Sequence, residues 1–243
     1  MPQDQSSHTN WVVIPTYNEA ENIRALALAI LQQGSTWCVL VVDDGSPDGT
    51  ADIARILQND MASRVDVLER TTKQGYGAAV LAGFQRALEH GADHIFSMDC
   101  DWSHHPEALP RLDAALSTAD VVIGSRYVAG GRTVNWPTRR KVTSFVANLF
   151  ARTIVGLRVH DCTGGFRGYK KEVLEHLVRQ RIESFTYSFL TETLFLAQRL
   201  GYRVTEVPIV FRDREAGKSK VSLKIIAAST MGLLGLALRR LRP

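Results

Sequence analysis

Short apolar runs alternate along this chain with longer stretches in which apolar residues recur every three or four positions. The runs 11–14, 38–42, 65–68, 94–98 and 120–123 have the length and composition of buried strands. Between them, 20–32, 49–60, 76–90 and 107–117 carry helical spacing. This β-α-β-α order predicts an α/β fold: a mostly parallel, Rossmann-like central sheet flanked by helices on both faces. Such sheets hold ligands at the carboxyl ends of their strands, so chemistry is expected just after each run.

Beyond Gly124 the rhythm changes. Segment 127–138 is rich in Gly, Pro and Arg and reads as a mobile loop. A helix is expected over 140–155, a Gly-rich turn over 161–168, and helices over 171–180 and 189–200. Short strands at 203–207 and 209–211 precede a basic loop and a final helix. No repeat or linker interrupts the pattern. Residues 11–220 therefore read as one domain, between a flexible polar segment 1–10 and a C-terminal amphipathic segment 221–243.

The chain has 243 residues, 45% apolar and 22% charged, enough for a sizeable core and unlike a disordered segment. Its net charge of +4 suits phosphorylated ligands or an anionic membrane surface. The three cysteines, Cys38, Cys100 and Cys162, fit neither a disulfide scaffold nor a zinc knuckle. The N-terminus lacks the apolar core of a signal peptide. The longest nearly apolar run, 225–238, would span about 21 Å as a helix against about 30 Å of bilayer hydrocarbon, so no transmembrane helix is expected. The basic residues fall in ligand-like loops rather than an aromatic-interleaved stripe, which speaks against nucleic acid.

The first strand runs into Pro15, Thr16, Tyr17, Asn18 and Glu19. Pro15 is expected to stop it, Tyr17 can stack on a base, and Glu19 can accept from a base or sugar edge; Asn18 equally suits a helix cap. The second strand ends in Asp43 and Asp44 before a turn through Asp48. Asp48 reads as a cap, whereas Asp44 suits a ribose hydroxyl or base N–H. Gly75 and Gly77 suggest a dinucleotide loop, but they follow the third strand and position 80 is Val, so a dehydrogenase is rejected. They are read instead as allowing close approach to a ligand.

The fourth strand ends in Met98-Asp99-Cys100-Asp101-Trp102-Ser103-His104-His105-Pro106. If the segment is extended, Asp99 and Asp101 share one side, with Ser103 next. Two carboxylates about 4 Å apart repel by about 4 kcal/mol at an effective dielectric of about 20, which a cation relieves. Oxygen donors favour Mg²⁺ or Mn²⁺. His104 and His105 read as loop packing rather than zinc ligands. A cationic set follows: Arg126, Arg139, Arg140, Lys141, Arg212, Arg214, Lys218 and Lys220.

Together these stretches resemble the glycosyltransferase family 2 pattern on a GT-A fold, and within it the polyprenol (dolichol) monophosphate mannose synthases, over roughly residues 11–220. The stretch Trp102–Pro106 resembles the Leu-Ser-His-His-Pro sequel of that group. The resemblance implies a metal-dependent, inverting hexosyltransferase that moves mannose from GDP-mannose to a polyprenyl (dolichyl) phosphate. The alternative on the same fold is transfer of glucose or another sugar to a lipid phosphate or glycan. By position, Pro15, Tyr17, Glu19, Asp43, Asp44, Asp99 and Cys100 would bind the nucleotide-sugar, and Arg214 and Lys220 its diphosphate. Asp99, Asp101 and Ser103 would hold Mg²⁺ or Mn²⁺. Arg126 and Arg140, with Ser144 nearby, would bind the acceptor phosphate; Asp101, Arg126 and Arg140 would be catalytic. Loop 127–138 would close over the acceptor.

Cys100 replaces the usual Ala and is expected to face away. Leu190 stands where the family usually has Gln, leaving Glu192 as a polar candidate. Some relatives carry C-terminal membrane spans. Without one, this chain resembles the type that sits peripherally on the cytoplasmic face of a membrane and works with small partner proteins. Segment 221–243 is read as lying on that membrane or on a partner helix, or equally on its own core.

Overall fold

The structure is a computed structural model, and it describes residues 8–72, 74–180, 182, 188–213, 232 and 234–239. Nine strands and seven α-helices are placed among them. The strands are β1 (Asn10–Thr16), β2 (Trp37–Asp43), β3 (Val65–Glu69), β4 (His94–Ser97), β5 (Val121–Ser125), β6 (Arg132–Val134), β7 (Arg167–Lys170), β8 (Val204–Pro208) and β9 (Val210–Arg212). The helices are α1 (Ile23–Leu31), α2 (Thr50–Asp60), α3 (Tyr76–Glu89), α4 (Leu109–Ala115), α5 (Thr138–Phe150), α6 (Lys171–Leu177) and α7 (Ser188–Arg199).

Seven strands form one sheet in the order β3-β2-β1-β4-β7-β5-β8, and β6 pairs with β9 in a small second sheet. Only β7 runs antiparallel to its neighbours β4 and β5. Alternate residues of β1 feed two separate cores. Val12 and Ile14 pack with Ile23, Leu26, Leu57 and Leu109 beneath α1, α2 and α4. Trp11 and Val13 pack with Val80, Phe84, Leu174 and Phe189 beneath α3, α6 and α7. The sheet is thus buried on both faces, which explains strand runs that are apolar throughout rather than alternating.

Several expectations change. Pro15 does not stop β1, which continues to Thr16. The carbonyl of Val13 points to β4, where it accepts from Met98 N, so Pro15 faces that same side. Pairing with β4 has ended at Val13, so the missing N–H costs no ladder bond. β7 lies partly within the expected turn 161–168, and β6 within the expected loop 127–138. Both are short and polar, and they take strand form from the neighbours they pair with. Helix 140–155 ends as an α-helix at Phe150 and continues as a π-helical turn over Ala151–Val155. Gly77 serves packing rather than a ligand: an added Cβ would lie 2.7 Å from Phe189 of α7.

Candidate active site

The sheet order reverses between β1 and β4, which lie side by side although the chain leaves β1 towards β2. A crevice opens at such a switch point, at the carboxyl ends of the strands. The loops after β1 and β2 meet there, and the loop after β4 leaves the neighbouring strand end.

The first two loops are laced together. Asp43 is buried, and its carboxylate accepts from Thr16 Oγ1 at 2.9 Å, Ser46 N at 2.8 Å and Ser46 Oγ at 2.6 Å. Asp43 therefore shapes the turn. Asp44, also buried, faces Arg70, with Oδ1 3.0 Å from Nη1. Ser46 Oγ in turn accepts from Asn18 N, and Thr50 Oγ1 from Glu19 N, each at 2.9 Å. Asn18 adopts a left-handed conformation, φ 57°, and does not cap α1, whose N-cap is Asn22. Asp48 accepts from Thr50 N and Oγ1 and from Ala20 N. Burial pushes its carboxyl up, but these donors outweigh it and hold the group below the ordinary carboxylate range. Pro15, Tyr17 and Glu19 are half-buried along the rim.

The acidic stretch differs from the extended geometry expected of it. β4 ends at Ser97, and the chain then bends through Cys100–Ser103, with Trp102 left-handed at φ 59°. Strand alternation therefore does not govern which way Asp101 and Ser103 face; the turn does. Asp101 Oδ1 accepts from Ser103 N at 3.1 Å. Ser103 is fully buried, and its Oγ has no hydrogen-bond partner. A buried hydroxyl without a partner costs about 1–3 kcal/mol, so this oxygen is suited to a ligand. Cys100 lies in the core, so only its backbone can meet a ligand. Gly165 closes the turn from the other side. A Cβ there would stand 2.6 Å from Tyr76 Oη and 3.5 Å from Asp99 Oδ1, so the chain approaches both closely. Two carboxylates and one hydroxyl fit a hard cation completed by phosphate and water. Among the described residues, no group of three or more His, Cys, Asp or Glu is placed to hold a metal by itself.

His104 is buried between Phe166 and Phe211, with ring centroids 5.0 and 5.1 Å away. Burial and the nearby Arg126 push its pKa down to about 4, against the opposing pull of Asp101 and Asp161. His105 is exposed.

The cationic side is built on aromatic rings. The Arg126 guanidinium lies 5.3 Å from the centroid of Trp136 and 5.4 Å from that of Phe211; that of Arg140 lies 4.2 and 6.0 Å from the same rings. Residues distant in sequence are thus brought to one platform. Arg126 is buried and forked onto Asp161. Burial alone would lower its pKa, but Asp161, Tyr127 and Asp99 raise it, so the charge is fixed. His104 and Arg126 pack on the same Phe211 ring, and Arg212 N donates to Ser103 O at 3.2 Å, so the acidic turn adjoins the platform. Arg140 pairs with Asp213. Ser144 Oγ accepts from Tyr127 Oη at 2.7 Å.

Sequence reasoning missed Trp136 and Phe211, and it marked Asp161–Arg167 as a family stretch without assigning Asp161 a role. The only signals were a lone aromatic before Pro137 and an acid in a Gly-rich segment. Glu192 is buried and bound to Arg239 at 2.6 Å, while Leu190 is buried and offers only its carbonyl, to Arg167. Lys73, Tyr187, Arg214, Lys218 and Lys220 lie outside the described residues, as does most of 221–243. Of that last segment, Leu236 joins the core, while Leu234 and Leu238 are exposed.

Fold and sequence together are those of a glycosyltransferase. The sequence pattern "Glycosyl transferase family 2" matches residues 11–178, and this chain belongs to that family. It is 47% identical over 230 residues to the undecaprenyl-phosphate mannosyltransferase of Micrococcus luteus, covering 93% of this chain and 94% of that one. It is 46% identical over 212 residues to the polyprenol monophosphomannose synthase of Mycolicibacterium smegmatis, covering 87% and 80%. The glucosyl-3-phosphoglycerate synthase of Mycobacterium tuberculosis, solved with Mn²⁺, UDP and phosphoglyceric acid, superposes with a TM-score of 0.69. That match covers 96% of this chain and 78% of the other at 22% identity. The same enzyme with Mg²⁺ and UDP gives a TM-score of 0.66 at 21% identity, covering 96% and 79%. These structural likenesses establish the GT-A fold.

Proposed function

We propose that this glycosyltransferase moves mannose from GDP-mannose to the phosphate of a polyprenyl lipid, with inversion, giving a β-linked polyprenyl-phosphate mannose. The observation that carries the reading is that the acidic turn, Asp99–Ser103, adjoins the Arg126/Arg140 platform through His104, Phe211 and the Arg212 N–Ser103 O bond, in a chain nearly half identical to an undecaprenyl-phosphate mannosyltransferase and a polyprenol monophosphomannose synthase.

Asp99, Asp101 and Ser103 Oγ would hold Mg²⁺ or Mn²⁺, which when bound neutralises the leaving diphosphate. The acceptor is a phosphate monoester with a second pKa near 6, so it is already anionic at neutral pH and asks no general base of the protein. Arg126 and Arg140 hold the acceptor phosphate and orient one oxygen towards the sugar, and orientation of this kind supplies much of the rate. Tyr17, Glu19 and Asp44 line the nucleotide side, with Arg214 and Lys220 assigned to the diphosphate.

The lipid acceptor calls for a membrane surface. No described helix is long and apolar enough to cross a membrane. Helix α5 instead exposes Val142, Phe145, Val146 and Leu149, each about half accessible, in one stripe beside exposed Arg139, Lys141 and Arg152. That combination suits an anionic bilayer surface, with Arg140 at the same end of the helix as the platform.

A panel of radiolabelled sugar donors tests the reading. GDP-mannose is expected to label polyprenyl phosphate at least tenfold faster than GDP-glucose or UDP-glucose. Preference for a glucose donor would move the assignment to the rival sugar.

A further inference from the structure

α5 is a helix with a single buried residue, and that residue is polar: Asn148, 4% exposed. An asparagine inside a helix is unfavourable intrinsically, and burying an amide costs more unless its bonds are made. Here they are made. Oδ1 accepts from Cys162 N at 2.7 Å. Nδ2 donates to Ser144 O at 2.9 Å and, more weakly, to Thr163 Oγ1 at 3.4 Å. Thr163 Oγ1 also accepts from Arg126 Nη2 at 3.0 Å. Next to it, Asp161 forks onto Arg126 and accepts from Gly164 N at 3.0 Å. Asp161 N donates to Glu206 at 2.9 Å, so the turn 161–164 is pinned from the sheet by Glu206 and from α5 by Asn148.

Resting on the reading of Arg126 as an acceptor-phosphate ligand, we propose that Asn148 is a positioning residue. It locks the turn 161–164 to α5, so the aim of the Arg126 guanidinium follows the seating of that helix. An apolar side chain of similar size would fill the space, but only an amide accepts from Cys162 N and donates to Thr163 at once. None of these bonds involves a residue assigned to the donor.

The test compares wild type, Asn148→Leu, Thr163→Val and the double variant in steady-state transfer from GDP-mannose to polyprenyl phosphate, with the Kd of GDP-mannose measured separately by calorimetry. Asn148→Leu is expected to raise the KM for the lipid about tenfold and to lower kcat, with the GDP-mannose Kd changed less than twofold. Thr163→Val, a milder change that keeps the fold if Asn148→Leu does not, moves the lipid KM in the same direction. The double variant is no worse than Asn148→Leu, because both act through one path. Unchanged lipid KM in the folded variants, an equal loss of GDP-mannose affinity, or simple additivity overturns the proposal. A wild type that transfers nothing to lipid phosphate overturns the underlying reading instead.

Discussion

Arg126 holds Asp161 through three hydrogen bonds: its backbone N, Nε and Nη2 donate to the two carboxylate oxygens at 3.1, 2.7 and 2.7 Å. Neither side chain has appreciable contact with solvent. Burial pushes the Asp161 carboxyl up, but Arg126 and Arg167 outweigh it and hold it below the ordinary carboxylate range. Breaking such a buried pair typically costs about 3–5 kcal/mol. Asp161→Asn is therefore expected to lose several kcal/mol in urea unfolding at pH 7, together with most transfer activity. A depressed folded pKa contributes stability above the unfolded value of about 3.9, lost as pH falls below it. The difference between wild type and variant should thus shrink on acidification below about pH 4; a constant difference contradicts the assignment.

His104 gives a second pH signature, of a different window. Its folded pKa of about 4 lies below the ordinary value near 6.5, so the fold favours the neutral ring. Above about pH 6.5 the ring is neutral in both states and nothing changes. Between about 6.5 and 4, stability falls by up to about 1.4 kcal/mol per pH unit. Unfolding of His104→Leu should lack that limb. Between pH 6 and 8 the transfer rates of wild type and variant should keep the same profile, since the ring does not titrate there.

Gly165 leaves no room for a side chain between Tyr76 Oη and the Asp99 carboxylate. Gly165→Ala places a methyl 2.6 Å from the phenol oxygen, so Tyr76 or the turn must shift. We expect a loss of about tenfold or more in kcat/KM for GDP-mannose, with a melting temperature within a few degrees of wild type. Wild-type kinetics would show that Tyr76 yields alone and that the Asp99 carboxylate does not depend on this contact.

The exposed stripe of α5 predicts a membrane effect. Phe145→Ser with Leu149→Ser should weaken co-sedimentation with anionic vesicles several-fold and leave the fold intact, because both residues are about half accessible. Equal sedimentation places the contact elsewhere, on segment 221–243 for instance.

The parallel sheet and its strand-end loops were legible because β1, β2, β4 and β5 are apolar on both faces, a pattern few other elements produce. β6 and β7 were not legible: three or four polar residues become strand only through their neighbours. The acids at Asp99 and Asp101 stood out by type and position. Strand alternation does not describe this stretch, because the chain bends at Cys100 and Asp101 and turns left-handed at Trp102 before Ser103. Asp43 drew attention for a ligand, yet its carboxylate is engaged by Thr16 and Ser46. Arg126 and Arg140 were visible as cations, but Trp136 and Phe211, which bring them together, come from a loop and a short strand far apart in sequence.

The central claim is that Asp99–Ser103 and the arginine platform together drive mannosyl transfer to a lipid phosphate. The most direct measurement is transfer from radiolabelled GDP-mannose to polyprenyl phosphate by chelator-treated enzyme, with Mg²⁺ or Mn²⁺ titrated back, for wild type and Asp101→Ala. The account predicts an inactive apo-protein, recovery with either ion in wild type, and at least a hundredfold lower rate in the variant at saturating metal. Full activity of Asp101→Ala, or of the chelated wild type, would contradict it.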